Sequence, residues 1–205
     1  DTSPDIRQQL IDNDIKTIDS IIYTHEHADQ TAGIFEFRPF YFRNEKKISI
    51  YCNKQTKRRL LKSYTWLFRS TKLYPQVMQI KNTKNNFAIK KDKFQIKFES
   101  LDVIHGSTKT RGYLFNKIAY ISDCKKIPNI SLSKLKNLEV LVIDCFRLKK
   151  HVTHLDLKSS IKLIKELKPK KAILTNMHID LDYQYLKKIL PKNIIPAYDG
   201  LSFNF

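Results

Sequence analysis

The apolar run Ile21-Ile22-Tyr23 is followed at once by Thr24-His25-Glu26-His27-Ala28-Asp29-Gln30. A short β-branched and aromatic run bounded by polar residues reads as a strand, so the histidines stand on the loop that leaves it. Residues two apart at a strand end point the same way, which lets His25 and His27 converge on one ion. Neutral imidazole and carboxylate are ligands that zinc, manganese and iron accept. Asp29 follows closely enough to reach a second ion. In a chain with only 6 histidines, H-x-H-x-D is a poor fit to an ordinary solvated loop.

The rest of the chain alternates strand-like and helix-like segments, the pattern of a layered α/β protein. Strands are expected over 48–51, 94–98, 113–115, 118–121, 140–143, 172–174 and 194–198, each short, β-branched or aromatic. Helices are expected over 56–68, 157–167 and 182–190 from apolar residues spaced three and four apart. Asp156 is placed to cap the second helix and Pro169 to stop it. Asn116-Lys117 reads as a hairpin turn without the favoured glycine. Residues 81–86 read as a polar loop.

His25-x-His27-x-Asp29-Gln30 after a strand resembles the signature of the metallo-β-lactamase fold, where most members carry His in place of Gln30. Further motifs follow in order. Val103-Ile104-His105-Gly106 is similar to the third metal motif. Ile118-Ala119-Tyr120-Ile121-Ser122-Asp123 is similar to the fourth, whose Asp bridges two metals. Leu174-Thr175-Asn176-Met177-His178 is similar to the fifth, and Asp1 resembles the first. The resemblance implies an αββα sandwich, two mixed β-sheets flanked by helices, with residues 1–205 as a single domain. Asp1 then stands at the end of an early strand, so one or more first strands are expected to be missing from this sequence.

The resemblance also implies the ligands. His25, His27 and His105 would hold a first divalent ion, Asp29 and His178 a second, and Asp123 both. Two ions about 3.5–4 Å apart share a hydroxide and clamp a phosphate or carbonyl oxygen. Gln30 offers an amide oxygen as a second-site ligand, which suits manganese better than zinc and implies a weaker second site. Many members place the last His where Asn176 stands, so the ligand role passes to His178. Asp29 is also expected to hold the hydroxide. His154, just before a helix, resembles the general acid of phosphodiesterase members, which protonates an alkoxide leaving group; His151 is less well placed. Asp1 and Asp144 are expected to support the site from behind. Arg111, Arg147 and Lys109 are candidate phosphate binders, the arginines first because their fork matches phosphate oxygens.

Bulk properties limit the function. A chain of 205 residues with 41% hydrophobic residues forms a sizeable core. No segment approaches the roughly 18 apolar residues of a membrane helix. Three cysteines without a C-x-x-C pair suit reduced thiols in a cytosol. Cys124 and Cys145 each follow an Asp and read as small core residues before metal-site thiols. A net charge of +18, from 38 Lys+Arg against 20 Asp+Glu, suits anionic partners and admits nucleic acid. The lysines are scattered, however, which suits compositional drift equally well.

The stretches Asp1–Leu10, Thr108–Tyr113 and Asn176–Tyr183 resemble the group containing the phosphoribosyl 1,2-cyclic phosphate phosphodiesterases, with tRNA 3′-processing endonucleases as cousins. The expected function is thus a metal-dependent hydrolysis of a small cyclic or nucleotide-like phosphate ester, with zinc or manganese as cofactor. An RNA-processing endonuclease and a metal-poor binding protein are the alternatives. Relatives of that group are often dimers, which makes a homodimer one expected assembly.

Overall fold

Parallel strands need long crossovers, usually helical, and residues Asp1–Gln95 form a compact unit built from them. The computed structural model describes residues 1–83 and 85–203. Helix α1 (Ile6–Asp12) precedes strand β1 (Ser20–Ile22). Helix α2 (Ala28–Thr31), a 3-10 segment (Ala32–Phe37) and α3 (Arg38–Asn44) carry the chain to β2 (Ile48–Cys52). Helix α4 (Lys54–Ser63) and a 3-10 turn (Thr65–Leu67) lead on to β3 (Met78–Asn82), and β4 (Asn86–Lys91) follows. Strands β1, β2 and β3 form a sheet in which Ile21 lies beside Ile50 and Ile50 beside Ile80, all parallel.

The core of this unit is Ile21, Tyr23, Ile34, Phe37, Ile50, Leu60 and Met78 with their neighbours. Helix α4 contributes Thr56 and Leu60 to it and leaves its basic residues outside. Asn53 caps α4 by accepting from the Thr56 N–H at 2.8 Å. Gly33 is required where it stands, because a Cβ there would collide with the Ser3 carbonyl and Ile6.

A second compact unit starts at Ile96. Strands β5 (Phe94–His105), β6 (Thr108–Phe115) and β7 (Ile118–Ile121) form an antiparallel meander. A short helix α5 (Asn129–Leu132) precedes β8 (Val140–Asp144), α6 (Leu157–Leu167), β9 (Lys171–Thr175), α7 (Tyr183–Ile189) and β10 (Ile194–Pro196). Strands β7 to β10 pair in parallel, giving the order β10-β9-β8-β7-β6-β5 within this unit. Helix α6 packs on β8 and α7 on β10. The central strands β8 and β9 are buried along most of their length, as helix-covered parallel strands are. Leu101, Val103, Ile121, Leu141, Ile143, Ile164 and Leu174 sit at the centre of the core.

Two sheets flanked by helices are therefore present. The first is parallel throughout its paired strands and the second is mixed. The Asn116-Lys117 turn forms without glycine, both residues having positive φ, 44° and 62°. Asp156 caps α6, accepting from the Ser159 N–H at 3.0 Å. The helix expected over 56–68 breaks at Tyr64, whose φ of −130° leaves the helical region. Strand β5 runs further than its apolar stretch, and β3 and β4 lie where no strand was expected. Of the loop expected over 81–86, Lys81 and Asn82 close β3, Asn86 opens β4, and Lys84 lies outside the described residues.

Candidate metal and active site

In the first unit the metal-binding motif leaves β1 as an extended loop that becomes α2 at Ala28. Its geometry is set from behind. The Thr24 N–H donates to Asp1 Oδ1 at 2.8 Å, and the Thr24 hydroxyl donates to the same carboxylate at 3.1 Å. That hydroxyl also meets His25 Nδ1 at 3.0 Å. Its single proton is directed at Asp1, so it must accept from His25. The ring is thereby placed with the proton on Nδ1 and the lone pair on Nε2, the form in which imidazole binds metal. His25 is buried, and the exposed His27 packs edge-on against it at 4.5 Å. The Tyr23 hydroxyl bonds Thr2 Oγ1 at 2.9 Å, and the Thr2 N–H donates to the Gln30 carbonyl at 2.7 Å. Burial raises the Tyr23 phenol, so it stays neutral and anchors the loop.

Glu26 turns to α4, where Gln55 Nε2 and Thr56 Oγ1 donate to its carboxylate. Asp29 is exposed in the first turn of α2, and Gln30 Nε2 donates to its Oδ2 at 3.2 Å. A cleft of about 500 Å³ opens beside His27, lined by Glu26, Ala28, Gln55, Arg58, Arg59 and Lys62 as well.

In the second unit the groups come from strand ends. His105 closes β5, and its Nδ1 donates to the Thr153 carbonyl at 3.0 Å, which again leaves the lone pair on Nε2. Nε2 lies 3.7 Å from Asp123 Oδ2, too far for a hydrogen bond between the two. Gly106 beside it has φ +59° and packs where a Cβ would come within 2.6 Å of Thr153 Cγ2. Asp144, fully buried at the end of β8, accepts from His154 Nδ1 at 3.0 Å, from the Cys124 N–H at 2.9 Å and from the Leu155 N–H at 3.3 Å. Burial pushes its carboxyl above the usual range, although these donors pull it back. The His154 ring stacks on Phe146 with centroids 4.4 Å apart.

Asn176 follows β9 in the left-handed region, φ 59°. Its Nδ2 donates to Asp123 Oδ1 at 3.3 Å and reaches Asp144 Oδ1 at 3.4 Å. Facing two carboxylates, the amide must present its nitrogen. His178 is half-exposed, with Nδ1 3.2 Å from Asp180 Oδ1. Arg147 lies 3.5 Å from Asp180, and Arg111 pairs with Asp102 across β5 and β6 at 2.8 Å. All three cysteines are buried and unbridged. Burial pushes the Cys52 and Cys145 thiols up to about 12, and raises Cys124 too, so they pack as small apolar residues.

The donors within each unit fit a divalent cation: two imidazoles offer Nε2 in a fixed tautomer, and a buried carboxylate faces one of them. Asp1 supports His25 through Thr24, whereas Asp144 supports His154. Sequence reasoning left out Thr24 and Thr153, which fix the tautomers. For Thr24 a signal existed, its hydroxyl being adjacent to His25. For Thr153 there was none, since its backbone carbonyl acts.

Two-sheet architecture and a His/Asp donor set together mark the metallo-β-lactamase fold. The chain belongs to the β-lactamase superfamily domain family, whose model matches residues 1–179. It is similar to a crystallised new diphosphatase from the PhnP family, with 34% identity and a TM-score of 0.87 over 98% of this chain and 76% of that one. It is similar in fold to human tRNase Z, short form, at 15% identity and a TM-score of 0.71, over 98% of this chain and 85% of that one. A curated octanoyltransferase of Porphyromonas gingivalis (strain ATCC BAA-308 / W83) is 27% identical over 204 residues, 98% of this chain. The chain spans 41% of that relative's length. Among the described residues no helix is long and apolar enough to cross a membrane.

Proposed function

We propose that this protein is a metal-dependent phosphodiesterase acting on a small cyclic or nucleotide-like phosphate ester, with residues 1–205 working as one catalytic domain in a reducing compartment. The observation that carries the reading is His105, its tautomer locked by the Thr153 carbonyl and its Nε2 directed at Asp123. His25, with the same tautomer, supplies the matching donor from the first unit, and His27 the next. We assign His25, His27, His105 and Asp123 to one divalent ion, zinc or manganese. When bound, the ion would polarise a phosphoryl oxygen and make water a nucleophile near neutral pH.

The chain's own residues supply the rest. Asp29, exposed and held by Gln30, would accept a proton from the attacking water. His154, oriented by Asp144 through Nδ1, presents Nε2 to protonate the leaving oxygen. The expected second ion is less well supported. The Asn176 amide donates to Asp123 Oδ1 and His178 is turned to Asp180, so both residues expected at the second ion are engaged with protein partners. A single ion is the reading these contacts favour.

Elemental analysis of protein purified without chelator, paired with turnover of bis-(p-nitrophenyl) phosphate with and without Mn²⁺, tests this. One equivalent of metal with turnover is expected. Two equivalents would mean that Asn176 turns its oxygen to a second ion. No metal and no turnover would favour a binding protein. An RNA endonuclease, the other alternative suited to the +18 charge, would instead lose activity steeply with salt.

A further inference from the structure

We propose that the groove between α6 and Leu148 is a docking site for an acidic amphipathic segment of a partner protein. The groove, of about 550 Å³, is lined by Leu148, Leu157, Lys158, Ile161, Lys162 and Lys165. On α6, Lys158, Ile161, Lys162 and Lys165 follow helical spacing and so share one face. Leu157 is buried and Ile161 half-buried, which makes an apolar floor, and Leu148 stands 45% exposed at its edge. The three lysines are exposed around that floor. Like charges four residues apart, as in Lys158 and Lys162, destabilise a helix. Among the described residues the lysine–carboxylate pairs outside this groove involve Lys16, Lys91, Lys134 and Lys170, and none involves these three. Glu166 is exposed on the same helix but does not line the groove, and Asp156 at the cap is occupied by Ser159.

Charge complementarity selects the occupant. A purely polar anion would leave the floor uncovered, and a neutral apolar group would leave the lysines unmatched. A segment with carboxylates beside apolar anchors satisfies both, as in the docking of an amphipathic helix into a groove. A second copy of this chain fits poorly, because with 38 Lys+Arg against 20 Asp+Glu it brings more positive charge to the lysines. Single-stranded nucleic acid is gripped by stacking on aromatic rings, and none lines the groove. A bilayer takes apolar residues that project, whereas Leu157 is recessed. Leu148 belongs to the segment between β8 and α6, which also carries His154. The partner would thus seat on that segment without touching a residue assigned to the metal or to proton transfer.

Fluorescence anisotropy of the full protein tests the groove. The probe is a labelled amphipathic peptide of Glu, Ala and Leu, with its leucines three and four apart. Saturable binding is expected. The variant Lys158→Ala/Lys162→Ala/Lys165→Ala should bind at least about tenfold more weakly, the sum of three exposed ion pairs. Leu148→Ser, which changes a half-exposed side chain and leaves every charge in place, should weaken binding about fivefold through lost apolar burial. A charge-matched control at exposed lysines outside the groove, Lys90→Ala/Lys93→Ala/Lys97→Ala, should retain the affinity. Thermal melting checks that each variant is folded. Absence of saturable binding to the unmodified protein would overturn the proposal. So would equal weakening in the two lysine variants, or an unchanged affinity in Leu148→Ser, since either would leave only diffuse charge attraction. Binding of single-stranded RNA or of phosphatidylglycerol vesicles that depends on the α6 lysines, with no binding of the peptide, would overturn it too.

Discussion

The two units hold their imidazoles in different ways. In the first, His25 is steadied by a hydroxyl, Thr24, which leans on Asp1. Thr24 is buried and adjacent to His25, and Asp1 is half-buried and 23 residues away from Thr24 in the chain. In the second, His154 is steadied by Asp144, a fully buried carboxylate that also accepts two backbone N–H groups. The first device sets one ring and one backbone N–H, that of Thr24. The second sets a ring and the conformations of two loops at once, after β7 and before α6. A support with several dependants is costlier to lose, so the same loss of a side-chain oxygen should be local in the first unit and structural in the second.

The largest effects should fall on the ligands themselves, where the units ought to behave alike. His25→Ala and Asp123→Ala should each release metal and abolish turnover of bis-(p-nitrophenyl) phosphate, read by elemental analysis and initial rates. Full activity in either would refute the site. Next comes Asp144→Ala. It strands two buried N–H donors and the His154 ring, and should cost about 3 kcal/mol in denaturant unfolding. A loss below about 1 kcal/mol would remove the proposed asymmetry between the units.

That asymmetry also explains what could be read from the sequence. His25, His27 and Asp29 lie in one short stretch, and their loop follows from a strand and a spacing. His105, Asp123 and Asp144 each close an apolar run, so their placement at strand ends was legible too. Contacts between distant segments were not. Nothing in the residues near Arg111 or Arg147 shows that Asp102 or Asp180 would claim them, because those pairings depend on strand register and loop path. Asn176 was legible as a departure from the usual motif, but its contact with Asp123 needs the left-handed turn that follows β9. Strands β3 and β4 escaped because Gln79, Lys81, Asn86 and Lys90 dilute the apolar alternation; pairing with β2 makes β3 a strand. Unit boundaries have no mark in composition.

A smaller effect sharpens the comparison in the first unit. Thr24→Val keeps the shape and removes the hydroxyl that sets the His25 tautomer. Metal affinity should fall about tenfold, the lower end for a group behind a ligand, in competition with a chromogenic chelator. Unfolding should shift little. An unchanged affinity would mean that His25 needs no orienting partner.

The smallest effect sets two helix caps against each other. Asn53 caps α4 and Asp156 caps α6, each through one backbone N–H, at 2.8 and 3.0 Å. Replacing either by Ala should cost about 1 kcal/mol. Only the second cap titrates. Burial tends to raise the Asp156 carboxyl, but the Ser159 backbone and hydroxyl bonds outweigh it and hold the group below its ordinary value of 3.8. A carboxyl depressed in the folded protein binds fewer protons folded than unfolded, so its stabilisation is complete above that ordinary value and disappears as pH falls through the folded one. The penalty of Asp156→Ala, measured by denaturant unfolding, should therefore shrink in strong acid, while that of Asn53→Ala stays constant. Equal pH profiles for the two variants would show that the charge on Asp156 adds nothing to its hydrogen bonds.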